Sequence, residues 1–164
     1  MALGLGANLG DPPRTLHAAV VQLSRWLLPR LVSPLYRSHP VSSIPQPDYY
    51  NLVVLGSTHF AAEDLLAMIK ALERSAGRRP GERDSPRLLD VDLLLYGDLV
   101  IDRPELTLPH PRLRLRRFAL GPLVDLAPDL RLPDDGARAA DVLDGLETQG
   151  VVRVPWPPGL KPTG

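Results

Sequence analysis

Apolar positions recur along the chain with two periods. After Asp11-Pro12, Leu16, Val20, Leu23 and Leu27 follow at +4, +3 and +4, which is one face of a helix with an acidic cap and proline in its first turn. Leu65, Met68, Ile69 and Leu72 also fall on one helical face and predict a second helix over 61–74. Ala2-Leu3-Gly4-Leu5 reads as a short strand, broken by Gly6 and a polar turn. Residues 31–36 and 51–58 read as strands on either side of a Pro- and Ser-rich loop at 39–48, antiparallel by default. The most strongly apolar strand is 88–96, with a short one at 100–101 beyond the Gly97-Asp98 turn. Short helices are expected at 113–123 and 138–146, and a final strand at 151–156.

The order β-α-β-β-α-β predicts an α+β, ferredoxin-like fold: an antiparallel sheet with helices on one face and C-terminal additions, in one domain over 1–164. That pattern alone names no function, because the fold hosts many.

Chemistry enters on the strand at 88–96. Side chains alternate faces, so Leu89, Val91, Leu93 and Leu95 form an apolar face. Leu88, Asp90, Asp92, Leu94 and Tyr96 form the other, where two carboxylates sit among large apolar groups, as in a partly covered cleft. Carboxylates two residues apart project in parallel, roughly 6.5 to 7 Å apart, and can converge on one hard cation or bracket two. Taken alone, Asp-x-Asp is more often just the acidic outer face of a half-solvated strand.

The neighbouring sequence shifts that balance. The loop at 77–87 carries Arg78, Arg79, Arg83 and Arg87, and Arg87 lies three residues before Asp90. Guanidinium groups suit bidentate contact with phosphate, and a polyphosphate that carries metal needs cations and acids side by side. Surface ion pairs with Glu82 and Asp84 are the plainer reading of the same loop. A second basic cluster runs over 108–118. In it His110 is flanked by Pro109 and Pro111, which hold the backbone extended and favour a positioned side chain. Of the eight aromatic residues, Tyr49, Tyr50 and Phe118 could form a flat slot for a planar heterocycle, with Asn51 reading its polar edge; core packing is the plainer role for each.

Composition narrows the classes. The 164 residues carry 19 basic and 19 acidic side chains, which argues against broad binding to nucleic acid or an anionic membrane. The absence of cysteine removes disulfides, thiolate catalysis and Cys-based zinc sites. Neither a signal-peptide pattern nor an apolar run of membrane-spanning length is present, so a cytoplasmic protein is expected. Only Lys70 and Lys161 are lysines, and 19 residues are proline, a bias that suits heat-stable loops and a GC-rich genome equally.

With these residues in view, the chain resembles the 6-hydroxymethyl-7,8-dihydropterin pyrophosphokinase family. The resemblance runs from Gly6-Ala7-Asn8-Leu9-Gly10 through Tyr36-Arg37-Ser38, Gln46-Pro47-Asp48-Tyr49-Tyr50-Asn51, Glu73 and Gly77-Arg78. It continues through the stretch 86–97, Leu108-Pro109-His110-Pro111 and the stretch 116–123. The block 86–97 is the most specific in its spacing. Asp84-Ser85 stands where the family commonly has Trp-Gly, the arginine loop is about one residue shorter, and few residues precede Gly6.

The resemblance implies transfer of pyrophosphate from ATP to the hydroxymethyl pterin in folate synthesis, with release of AMP. It implies two Mg²⁺ ions on Asp90 and Asp92, and catalytic roles for Arg87, Asp90, Asp92 and His110. Arg78, Arg87, His110 and Arg116 would contact ATP. Tyr49 and Phe118 would sandwich the pterin, with Ser38, Val41 and Asn51 on its polar edge. The loops at 39–48 and 78–87 would close over the substrates, and a monomer binding neither nucleic acid nor membrane is expected. Two other readings remain open here. One is a different Mg-dependent nucleotidyl or phosphoryl transferase; the other is a ferredoxin-like RNA-binding module, which would need exposed aromatics where the central strand presents acids.

Overall fold

The computed structural model describes residues 1–28, 30–40, 45–77 and 86–162. Strand β1 (Ala2–Ala7) leads through a turn into helix α1 (Pro12–Leu23), whose N-cap Asp11 accepts from Arg14 N at 3.2 Å. Strands β2 (Arg30–Val32), β3 (Leu35–Ser38) and β4 (Tyr49–Gly56) follow, then helix α2 (Ala62–Ser75) and strand β5 (Asp90–Leu95). The sheet runs β5-β1-β4-β3, with every pair antiparallel, and β2 also pairs β4. The expected βαββαβ core is therefore present, with its second strand in two pieces.

Both helices lie on one face. Leu16, Val20 and Leu23 of α1 and Leu65, Ile69 and Leu72 of α2 pack against Leu3, Leu5, Leu52, Val54, Val91 and Leu93 of the sheet. Burial of each such Leu is worth about 1.5–3 kcal/mol, so this layer sets the frame on which the other face is built. The opposite face is only partly covered. A 3-10 turn (Leu113–Leu115), helix α3 (Arg117–Leu126) and helix α4 (Ala139–Asp144) pack on Ala2, Val53, Leu94 and Leu95. Strand β8 (Val152–Val154) extends the sheet beyond β3, as expected of the tail.

Four local expectations change. The strand expected at 31–36 breaks at Ser33-Pro34: Val32 faces Val54 but Tyr36 faces Asn51, so the strand gains a residue there. Pro34 has no N–H to continue the ladder, and Ser33 Oγ accepts from Val53 N at 3.0 Å instead. The helix expected at 113–123 divides at Arg116, which is extended at φ −121° and ψ 100°. The strand at 100–101 is half of a hairpin, β6 (Ile101–Arg103) with β7 (Leu106–Leu108), outside the main sheet.

The fourth change bears on the site. Leu3 pairs with Leu93 but Ala2 pairs with Leu95, so Leu94 is an extra residue in β5. Alternation holds from Leu89 to Leu94 and is out of step from Leu95. Leu95 joins Leu94 in the second core, and Tyr96 packs against the first.

Candidate active site

The partly covered face holds a cleft of about 560 Å³, a size that suits small organic ligands. Asp90, Asp92, Arg87, His110 and Arg116 line it, and so do Ser38, Tyr49, Asn51 and Phe118. Every candidate residue that the structure describes is thus brought into one cavity. Val41 and Arg78 lie outside the described residues.

Asp90 and Asp92 project from β5 on the side away from α1 and α2, as the alternation requires. Each is matched to cations. Arg87 Nη1 lies 2.7 Å from Asp90 Oδ2. Asp92 Oδ2 lies 3.5 Å from Arg116 Nη1 and 3.8 Å from His110 Nε2. The Leu94 bulge places His110, because Leu94 O accepts the His110 backbone N–H at 2.9 Å. His110 Nδ1 accepts from Arg112 N at 3.2 Å, so the neutral ring carries its proton on Nε2, which faces the acids.

Burial, foremost, holds the His110 imidazole below its ordinary pKa, against the pull of Asp92, and so favours the neutral ring. The Arg116 guanidinium is also lowered, first by burial and then by the like charge of Arg112. Arg112 lines the cleft and faces no acid in any ion pair of the described residues. Arg87 Nε is buried without a hydrogen-bond partner among them. A buried donor of that kind carries a desolvation cost of about 1–3 kcal/mol until an acceptor arrives.

Amide, hydroxyl and aromatic groups line the rest of the cleft. Asn51 is buried in β4 and donates to Ser38 Oγ at 3.1 Å. Gly6 faces it across the β1–β4 pair, and a Cβ on Gly6 would stand 3.0 Å from Asn51 Oδ1. Tyr49 OH donates to Gln46 Oε1 at 3.1 Å. The Phe118 ring carries the Arg116 guanidinium 5.3 Å from its centroid, within cation–π range.

Three residues outside the candidate set organise the site. Glu73 is buried on α2, where Oε1 accepts from Val91 N at 2.9 Å and Oε2 lies 3.0 Å from Lys70 Nζ, so it holds the edge strand between the two aspartates. A glutamate four residues after Ile69, on the apolar face, is the signal that could have revealed it. Asn8 is buried and bonded to Arg87 and Gln46; in sequence it is an ordinary turn asparagine. Gln149 lines the cleft from the C-terminal segment, with no local signal at all.

Residues 2–128 match the sequence model of the family described as 7,8-dihydro-6-hydroxymethylpterin-pyrophosphokinase (HPPK). A Pseudomonas aeruginosa protein named 2-amino-4-hydroxy-6-hydroxymethyldihydropteridine pyrophosphokinase is 41% identical over 155 residues, covering 93% of this chain and 95% of its own length. The chain belongs to the HPPK family.

A Synechocystis HPPK of the same name is 34% identical over 163 residues, covering 97% of this chain and 81% of its own. Among solved structures, a wild-type Plasmodium falciparum HPPK-DHPS chain superposes with a TM-score of 0.67 over 87% of this chain. At 14% identity that likeness shows the fold alone, and this chain spans 44% of that one's length. The HPPK match contains every candidate residue of the cleft and ends before Gln149.

Proposed function

We propose that the chain transfers the terminal pyrophosphoryl group of ATP to 6-hydroxymethyl-7,8-dihydropterin and releases AMP, a step of folate synthesis. One observation carries the reading: an acid-and-cation end suited to a metal-bound polyphosphate and an amide-and-aromatic end suited to a planar heterocycle share one cleft. The names of the Pseudomonas and Synechocystis relatives support the same substrates.

In this reading the pterin lies between Tyr49 and Phe118, and its polar edge meets Asn51 and Ser38; Val41, outside the described residues, is a further proposed pterin contact. The Tyr49, Asn51 and Phe118 groups fix the ring so that its hydroxymethyl oxygen reaches the β-phosphorus of ATP. A bond forms from that oxygen to the β-phosphorus, the bond from the β-phosphorus to the α–β bridging oxygen breaks, and AMP leaves with the bridging oxygen. The hydroxyl proton is lost as the new bond forms, and a loose transition state asks little of a base. The protein mainly orients the reactants and neutralises charge. Arg87 offers its unpartnered Nε–H to a phosphate oxygen. Neutral His110 donates from Nε2 and Arg116 meets the polyphosphate beside Asp92; Arg78, outside the described residues, is a further proposed ATP contact.

Asp90 and Asp92 would hold Mg²⁺, two ions in this reading. They are partly exposed, and no cluster of three or more acid, His or Cys ligands exists among the described residues. Two acids without a third fit a hard ion that completes its shell with phosphate oxygens and water. When bound, Mg²⁺ would neutralise charge on those oxygens. A monomer is part of the same proposal. No helix of the described residues is long and apolar enough to cross a membrane, and we place the protein in the cytoplasm as part of the same proposal. The test is incubation with ATP, Mg²⁺ and the hydroxymethyl pterin: AMP must appear only when the pterin is present. ATP turnover without pterin dependence would point to another phosphoryl transferase.

A further inference from the structure

Gln149 is the one non-glycine residue at positive φ among the described residues, at 52°. The left-handed region costs an ordinary L-residue roughly 1–2 kcal/mol, so something must hold Gln149 there. Its carboxamide supplies the reason. Oε1 accepts from Arg117 N at 3.0 Å, and Nε2 donates to Leu115 O at 3.1 Å.

Those two groups belong to the peptides on either side of Arg116. One amide therefore restrains both the φ and the ψ of Arg116, which is extended between the 3-10 turn and α3. Local structure leaves that corner weakly held. Arg117 N sits in the first turn of α3, where no intrahelical acceptor exists, and the N-cap residue gives no side-chain bond. Arg117 Nη1 fastens the same corner by donating to Leu143 O at 3.0 Å and Leu146 O at 2.9 Å. From this backbone the Arg116 guanidinium reaches Asp92 and lies over Phe118. Gln149 itself lines the cleft with Val151, just before Val152 pairs with Arg37 beside Ser38.

We propose that Gln149 is a positioning residue for pyrophosphoryl transfer: its carboxamide clamps the peptides flanking Arg116 and fixes where that guanidinium meets the ATP polyphosphate. This rests on the function proposed above. It assigns a role in the site to a C-terminal segment beyond residues 2–128, the span of the family's sequence model.

The test is a double-mutant cycle on the full chain, read by calorimetry with α,β-methylene ATP and Mg²⁺ and by AMP release. Gln149→Ala should weaken nucleotide binding about tenfold, the order that one or two hydrogen bonds supply. With Arg116→Ala already present, the same change should cost less than about twofold, because residues acting through one another are not additive. Gln149→Asn keeps an amide and tolerates the left-handed backbone but lacks the reach, so it should bind as weakly as Gln149→Ala while unfolding at the wild-type temperature. It carries the test if the alanine variant does not fold. Equal losses in both backgrounds would reduce Gln149 to a helix cap and overturn the proposal, as would wild-type binding by Gln149→Asn. A wild-type chain that neither binds the nucleotide nor releases AMP overturns the functional reading too, whereas wild-type turnover with unchanged variants overturns the Gln149 role alone.

Discussion

Asn8 and Arg87 hold one another by two hydrogen bonds: Arg87 N donates to Asn8 Oδ1 at 2.7 Å, and Asn8 N donates to Arg87 O at 3.0 Å. The Asn8 amide also donates to Gln46 Oε1 at 2.9 Å and to the Pro47 carbonyl at 3.2 Å. A single buried side chain at the end of β1 thus ties the segment entering β5 to the segment entering β4, and so joins the two ends of the cleft.

Asn8→Ala should lower stability by about 2–3 kcal/mol, since buried partners lose their bonds. Asn8→Asp is the sharper probe. It keeps the acceptor for Arg87 N but sets an acceptor against Gln46 Oε1 and the Pro47 carbonyl. Pterin affinity should fall at least tenfold while nucleotide affinity stays within about threefold. Calorimetry that shows equal losses for the two ligands would contradict the division of labour.

Asp90→Ala or Asp92→Ala should reduce AMP production by more than about a thousandfold, the scale of losing a key electrostatic group. Both side chains are partly exposed, so circular dichroism and unfolding temperature should stay near wild type. A chelator should stop turnover and added Mg²⁺ restore it. Near-normal activity in both variants would end the metal assignment.

Gly6→Ala places a methyl 3.0 Å from Asn51 Oδ1, a contact tight enough that the Asn51 amide must give way slightly. That displacement disturbs its bond to Ser38 Oγ. We expect KM for the pterin to rise about tenfold with kcat changed less than threefold. Steady-state kinetics with an unchanged pterin KM would count against Asn51 as a pterin contact.

Glu73 gives a pH signature. Burial, foremost, raises its pKa above the ordinary 4.5, against its bonds to Val91 N and Lys70. Between 4.5 and the raised value the folded state binds more protons than the unfolded state. Stability therefore falls as pH rises through that window and is then level in this contribution. Glu73→Gln keeps an acceptor for Val91 N and should flatten the curve. Urea unfolding across that pH range checks it, and an unchanged pH dependence would refute the role.

Much of the site was legible because its groups are neighbours in sequence or carry strong local pattern. Asp90 and Asp92 share a face by strand geometry alone, and Arg87 lies three residues from the acid it meets at 2.7 Å. His110 between two prolines was a reasonable candidate for the same reason. Leu95 and Tyr96 were assigned to the wrong faces because the extra residue at Leu94 leaves no trace in hydrophobic alternation within a run of leucines. Residues 31–36 read as one strand because Ser33-Pro34 is a weak interruption until the register against β4 is known.

Helix faces, strand faces and the spacing of the acid pair were determined by the sequence itself, since backbone geometry gives each element a fixed period. The tertiary structure alone decided which distant groups meet: Asn8 with Gln46, Glu73 with the edge of β5, Gln149 with the peptides around Arg116. Those pairings span 18 to 38 residues. They depend on the packing of the two faces of the sheet, because a hydrogen bond between remote groups gains too little to offset the closing of its loop alone.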